Sequence, residues 1–79
     1  MDLHPSAFKH GCRADDVVHA VRHAVVIEDL DDDLRLHLGA GTDGTMLEVI
    51  TILRDGDRGE LAIHAMAMRA KYRRLMPRE

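Results

Sequence analysis

Aromatic side chains are nearly missing from this chain of 79 residues: Phe8 and Tyr72 stand alone, and there is no tryptophan. That poverty argues against recognition of single-stranded RNA by base-stacking platforms, which need several exposed rings. It also leaves the core to be built from Val, Leu, Ile, Ala and Met. The single cysteine, Cys12, has no intrachain partner for a disulfide. It fits a reducing compartment, where such a residue more often packs as a small hydrophobe than acts as a nucleophile. No apolar run approaches the roughly 20 residues that span a bilayer. Met1 to His10 lacks the apolar stretch of a signal peptide. We therefore expect a soluble, cytoplasmic protein without a membrane partner.

Metal and cofactor motifs are missing as well. There is no Cys-x-x-Cys and no His-Glu-x-x-His. His19 and His23 are four residues apart on one expected helix face, with Asp15 a turn earlier, but nothing supplies the further ligands of a zinc site. The loop Gly39 to Gly44 lacks the lysine and the following helix of a phosphate-binding loop, so it reads as a hairpin turn. No metal and no cofactor are expected.

Apolar residues make up 46% of the chain and charged residues 32%, enough of the former for a packed core. The length allows one domain, covering 1–79, near the lower limit for folding without staples. A core this small leads us to expect a homodimer or an obligate partner. Charge is divided unevenly. The net charge is −3, yet from Arg69 onward five basic residues (Arg69, Lys71, Arg73, Arg74, Arg78) face one acid, about +4, while residues 1–68 carry about −7. Such polarity points to an anionic partner, nucleic acid or an acidic protein surface. The plainer account is a solvated C-terminal helix whose cations offset its dipole and the acidic body.

Periodicity gives an α+β order of elements. Pro5 opens a short helix closed by Gly11. A second helix is expected over Arg13 to Ala24, with Ala14, Val17, Val18, Val21 and Ala24 on one face. Four strands follow: Val25 to Ile27, Leu34 to Leu38 with strict alternation, Met46 to Leu53, and Leu61 to Met66. A final helix spans about Ala67 to Leu75 and stops at Pro77. The expectation is two N-terminal helices, a four-stranded, mainly antiparallel sheet and a C-terminal helix, α-α-β-β-β-β-α.

Turn positions suggest a register. With Asp55 to Gly59 as a loop, Arg54 pairs with Glu60 and Ile50 lies opposite His64. With Gly41 to Gly44 as the preceding loop, Ala40 pairs with Thr45 and His37 lies opposite Glu48. Arg35, His37, Glu48 and His64 would then share one face. Histidine, glutamate and arginine are the groups that acid–base cleavage of a phosphodiester needs. A base takes the ribose 2′-hydroxyl proton, an acid protonates the leaving oxygen, and a guanidinium stabilises the transition state. Imidazole suits either proton transfer, since its unperturbed pKa is about 6.5. The structural alternative is a cross-strand Glu48–His37 ion pair.

Two end segments carry a family likeness. Lys9-His10-Gly11 precedes a helix containing Asp16 and Val17. At the other end, Ile63-His64-Ala65-Met66-Ala67-Met68-Arg69-Ala70-Lys71-Tyr72 passes from a strand into a basic segment ending in tyrosine. In these features, and in the order of elements over nearly its whole length, the chain resembles the BrnT-like branch of the RelE/ParE-type toxins of type II toxin–antitoxin systems. The resemblance implies a metal-independent ribonuclease acting on RNA and neutralised by a cognate antitoxin. It places candidate functional positions at Lys9, His10, Arg69, Lys71 and Tyr72. Joined to the sheet cluster, these give His64, Arg69, Lys71, Glu48 and His37 as catalytic candidates. Lys9, His10, Arg35, Tyr72 and Arg73 are the RNA-binding candidates. The alternative is a non-catalytic module whose basic C-terminal helix binds an acidic protein or a second copy.

Overall fold

A computed structural model describes residues 1–78. Among them lie one α-helix, α1 (Ala14–Arg22), and five strands: β1 (Asp2–Leu3), β2 (Val26–Asp29), β3 (Leu34–Ala40), β4 (Met46–Leu53) and β5 (Glu60–Ala67). The strands form one sheet in the order β1-β5-β4-β3-β2. β1 runs parallel to β5 and every other neighbouring pair is antiparallel. The arrangement is an α+β fold with a mixed sheet, and it overturns the expected α-α-β-β-β-β-α order at both ends.

At the N-terminus, Asp2 and Leu3 are a strand that the sequence reading left out. Two residues are too few to show a period, and their pairing depends on distant partners. The His4 amide donates to the Ala62 carbonyl at 2.9 Å, Ser6 Oγ donates to the Ile63 carbonyl at 2.6 Å, and Arg54 Nη2 donates to Asp2 Oδ2 at 2.8 Å. The expected first helix is only a 3₁₀ turn, Pro5–Phe8, with Pro5 at its start and the His4 ring accepting from the Ser6 amide at 3.1 Å.

At the C-terminus, the expected helix from Ala67 does not form. β5 continues through Ala67, Arg69 is extended (φ −81°, ψ 154°), and Ala70–Leu75 is a 3₁₀ segment that buries no residue. The chain is held to the sheet instead: the Met68 amide donates to the Met46 carbonyl at 3.0 Å and the extended Arg69 donates its amide to the Glu48 carboxylate, so helical geometry starts only at Ala70. Six residues remain before Met76 turns extended again, too few to nucleate an α-helix without burial.

α1 lies over β3 and β4, with Val17 and Ala20 fully buried against Leu47, Val49, Ala62 and Ala65; Ala7 from the 3₁₀ turn completes this core. The contact is close because both partners are small. A Cβ on Gly39 would stand 2.1 Å from the Ala20 carbonyl oxygen, so glycine is required there by space. On the opposite face of β3, reached by alternation, Leu36 and Leu38 are fully buried.

The registers explain where side chains point. Between β4 and β5 Ile50 lies opposite His64 as expected, but a bulge follows, and Leu53, not Arg54, pairs with Glu60. Between β3 and β4 the connection is one residue longer than the turn formers suggested. Ala40 pairs with Met46 instead of Thr45, and His37 with Val49 instead of Glu48. Gly41 takes the Thr45 carbonyl at 2.9 Å inside the loop, and Asp16 on α1 accepts from both the amide and the hydroxyl of Thr42 at 2.8 and 2.6 Å. That one-residue slip puts His37 and Glu48 on opposite faces.

The α1–sheet contact predicts an asymmetric pair of substitutions. Gly39→Ala should lower stability by about 1–3 kcal/mol, because the new methyl meets a backbone carbonyl that cannot rotate away. Adding Ala20→Gly should not restore it, since the obstruction is the main chain. Urea unfolding of the single and double variants checks both statements.

Candidate functional site

β4 is apolar apart from Glu48 and Thr51, and both are fully buried. A buried carboxylate must be paired or protonated. Glu48 is paired from β5 and the segment just after it. His64 Nε2 donates to Oε2 at 2.9 Å. The Arg69 amide and Nε donate to Oε1 at 2.9 and 3.0 Å, and Arg69 Nη2 donates to Oε2 at 2.7 Å. His64 reaches Glu48 because it sits diagonally across the ladder, where Ile50 is its direct partner and Met66 that of Glu48.

These bonds fix the charge. Burial by itself would raise the Glu48 pKa. The hydrogen bonds from the Arg69 side chain, the Arg69 amide and His64 outweigh it and hold the carboxyl at about 2. Hydrogen bonding to Glu48 likewise raises the Arg69 pKa against a smaller burial effect, so both partners stay ionised. With Glu48 as the acceptor at Nε2, the neutral His64 ring carries its lone pair on Nδ1.

A second imidazole stands beside the first. The His10 and His64 rings meet edge to face at a 5.5 Å centroid separation. Past Arg69, the guanidinium lies 5.9 Å from the centre of the Tyr72 ring, and Lys71 Nζ lies 5.0 Å from the same ring. The His64 side chain is 24% exposed and that of Arg69 44%. A buried anion therefore orients two partly open cationic or basic groups, with His10, Lys71 and Tyr72 around them.

Six of the sequence candidates thus converge: Glu48, His64, Arg69, His10, Lys71 and Tyr72. Lys9 is exposed next to His10 in the chain, and Arg73 is exposed on the 3₁₀ segment. His37 and Arg35 belong elsewhere, because of the register slip. His37 is 3% exposed and its Nε2 lies 3.0 Å from Thr51 Oγ1 and 3.6 Å from Glu60 Oε1. Thr51 in turn donates to Glu60 at 3.1 Å. Burial pushes the His37 pKa down, against the pull of Glu60. Arg35 Nε donates to Asp29 at 2.8 Å, with Glu60 3.7 Å from its Nη1. Sequence reasoning missed Thr51 and Glu60 as partners of this second network; alternation from Arg35 and His37 under the correct register would have found Thr51.

Other groups are poor catalysts. Burial, and then Asp16, pushes the Cys12 thiol up, opposite to what a nucleophile needs. Among the described residues no three His, Cys, Asp or Glu are grouped to hold a metal. His19 and His23 do stack at 4.3 Å along α1. They line an open pocket of about 380 Å³ with Ala14, Asp15, Val18, Arg22 and Thr42, which shares no residue with the Glu48 cluster. Among the described residues no helix is long and apolar enough to cross a membrane.

The Glu48 pKa has a consequence for stability. A glutamate in the unfolded chain titrates near 4.5, and this one near 2 in the folded protein. Folding therefore gains from Glu48 in full above about pH 5 and loses that gain as pH falls toward 2. Glu48→Gln should cost about 3 kcal/mol at pH 7, the scale for breaking a buried pair, and much less at pH 2. Urea unfolding at the two pH values should show the difference; equal losses at both would mean the carboxylate charge contributes nothing. Comparison with protein families, with curated proteins and with solved structures finds no match for this chain.

Proposed function

We propose that this protein is a metal-independent endoribonuclease, the toxin of a type II toxin–antitoxin pair, held inactive by a cognate antitoxin. The observation that carries the reading is the buried Glu48 carboxylate holding His64 and Arg69 side by side, with His10 at 5.5 Å from His64. In this reading His64 Nδ1 takes the proton from a ribose 2′-hydroxyl. The O2′–P bond forms, the P–O5′ bond breaks, and protonated His10 gives its proton to the leaving oxygen. The products are a 2′,3′-cyclic phosphate and a 5′-hydroxyl, and no co-reactant is consumed. Arg69 stabilises the charge gathered on the phosphorane. Lys9, Lys71 and Arg73 hold the RNA backbone as cations, and Tyr72 offers one ring beside them. The antitoxin covers the same basic segment with an acidic surface. An enzyme of this kind works in the cytoplasm, where its RNA is.

A second reading rests on Arg69 itself. Because both its amide and its guanidinium are engaged by Glu48, the cluster also latches the C-terminal segment to the sheet. Lys71, Arg73 and Arg74 are left exposed beyond it. A non-catalytic module that binds an acidic protein through these cations would use the same latch.

Controlled expression with and without the neighbouring reading frame separates the two. The ribonuclease reading expects growth arrest with fragmented RNA, reversed by the neighbour. Purified protein should cut RNA in the presence of a chelator and leave a substrate with 2′-deoxyribose at the scissile position intact. His64→Ala and His10→Ala should each reduce cleavage by about 10²–10⁴-fold with the fold retained by circular dichroism. Intact RNA, with a salt-sensitive complex instead, would move the assignment to the binding module.

A further inference from the structure

The two ends of the sheet are unlike. At one end the two-residue β1 covers β5, and the chain leaves it through the Pro5–Phe8 turn. At the other, β2 and the residues on either side of it form an edge that exposes large apolar side chains: Val25 is 56% exposed, Ile27 57% and Leu30 40%. Small proteins protect such edges with lysine, proline or a covering loop. β2, Val26-Ile27-Glu28-Asp29, has no lysine or proline, and its only charges are the two acids at its end.

The hydrogen-bond pattern of β2 gives the direction of its unused groups. The Leu30 amide bonds inward to the Leu34 carbonyl at 2.8 Å. Residues of the same parity, Glu28 opposite Leu36 and Val26 opposite Leu38, also face β3. The amides and carbonyls of Ile27 and Asp29 therefore point out from the sheet. The Val25 amide is spent inward on the Leu38 carbonyl at 2.8 Å, so an antiparallel strand centred on Ile27 would meet the amides of Ile27 and Asp29 and the carbonyl of Ile27.

We infer that β2 pairs antiparallel with β2 of a second copy of this chain, about a two-fold axis at Ile27, to make one continuous ten-stranded sheet. In that register Ile27 faces Ile27 of the other copy, and Val25 faces the other copy's Asp29. The Ile27 and Val25 side chains of both copies then form one apolar stripe across the seam. Charge favours this occupant. Asp31, Asp32 and Asp33 follow β2 in an exposed turn, and Arg22 and His23 precede it, also exposed. Two-fold pairing brings the acidic turn of each copy alongside Arg22 of the other, so opposite charges meet at both ends of the seam. Of the two acids in β2, Asp29 is already paired with Arg35 at 2.8 Å, and Glu28 alternates to the face opposite Ile27. The Glu48 cluster draws on β4, β5 and the segments next to β5, away from the seam, so both copies keep it open.

Sedimentation or light scattering of the full chain should give a mass of two chains, falling toward one as salt rises. Ile27→Lys should yield a single chain at every concentration with an unchanged thermal unfolding curve. The register has its own test, in a Cys12→Ser background. Ile27→Cys should oxidise to a covalent dimer, whereas Glu28→Cys, opposite Val26 in the pairing, should not. A single chain at all concentrations overturns the inference, as does a dimer that survives Ile27→Lys. A chain that stays single, but loses capture of an antitoxin when Ile27 becomes lysine, assigns the edge to a foreign strand and overturns self-pairing.

Discussion

The Glu48 carboxylate sits within an apolar strand, out of contact with water, and the molecule is arranged around keeping it charged. Removing such a group from water costs several kcal/mol unless its partners are close and well aligned. The partner that does most is 21 residues away in the chain. Arg69 answers with its amide as well as its guanidinium, which holds it extended so that helical geometry starts only at Ala70. The end of β5, the short 3₁₀ segment after it and the placing of Lys71 and Tyr72 all follow from that requirement. So does the tautomer of His64, whose Nε2 is committed to the same carboxylate.

The other face of the sheet solves a different problem by different means. There α1 approaches β3 closely through Ala20 and Gly39, and the core beneath it is made of Ala, Val and Leu. Beyond the helix the same face turns polar, with His37, Thr51, Glu60 and Arg35 satisfying one another. His37 Nδ1 is the exception, buried without a partner among the described residues. Burial keeps that ring neutral near physiological pH, so it can lie against Thr51 without carrying a charge into the interior.

Much of this was readable in the residues, at the places where local pattern decides. The alternation of Leu34 to Leu38, the apolar run Met46 to Leu53 and the turn at Asp55 to Gly59 gave β3, β4 and their order, and Ile50 did fall opposite His64. A lone acid in β4 and a basic segment after β5 drew attention to Glu48 and Arg69 separately. Their union was not legible, because it depends on how far β5 runs before the chain turns. Reading a helix from Ala67 placed Arg69 on a solvated surface, since helical spacing is a local signal and the Glu48 contact is not. The Glu48–His37 pairing failed for a smaller reason. Gly41 and Thr45 bond to each other inside the loop, which lengthens it by one residue and turns His37 to the other side. β1 was out of reach altogether, as two residues on a sheet edge have no period to detect.

The irregularity between Ile50 and Thr51 has a wider meaning for the sheet. One extra residue, Ile63, lies between the partner of Ile50 and the partner of Thr51, so Ala62 and Ala65 both face the core although they are three apart. The extra residue changes the alternation of β5 alone; β4 keeps its period, with Leu47, Val49 and Thr51 on one face throughout. On one side of the slip lie His64 and the Glu48 cluster; on the other lie Thr51 and Glu60, which reach back across it to His37 opposite Val49. The extra residue lets His64 and Glu60, four apart in β5, serve opposite faces; without Ile63 the strand would alternate regularly and both would keep those faces.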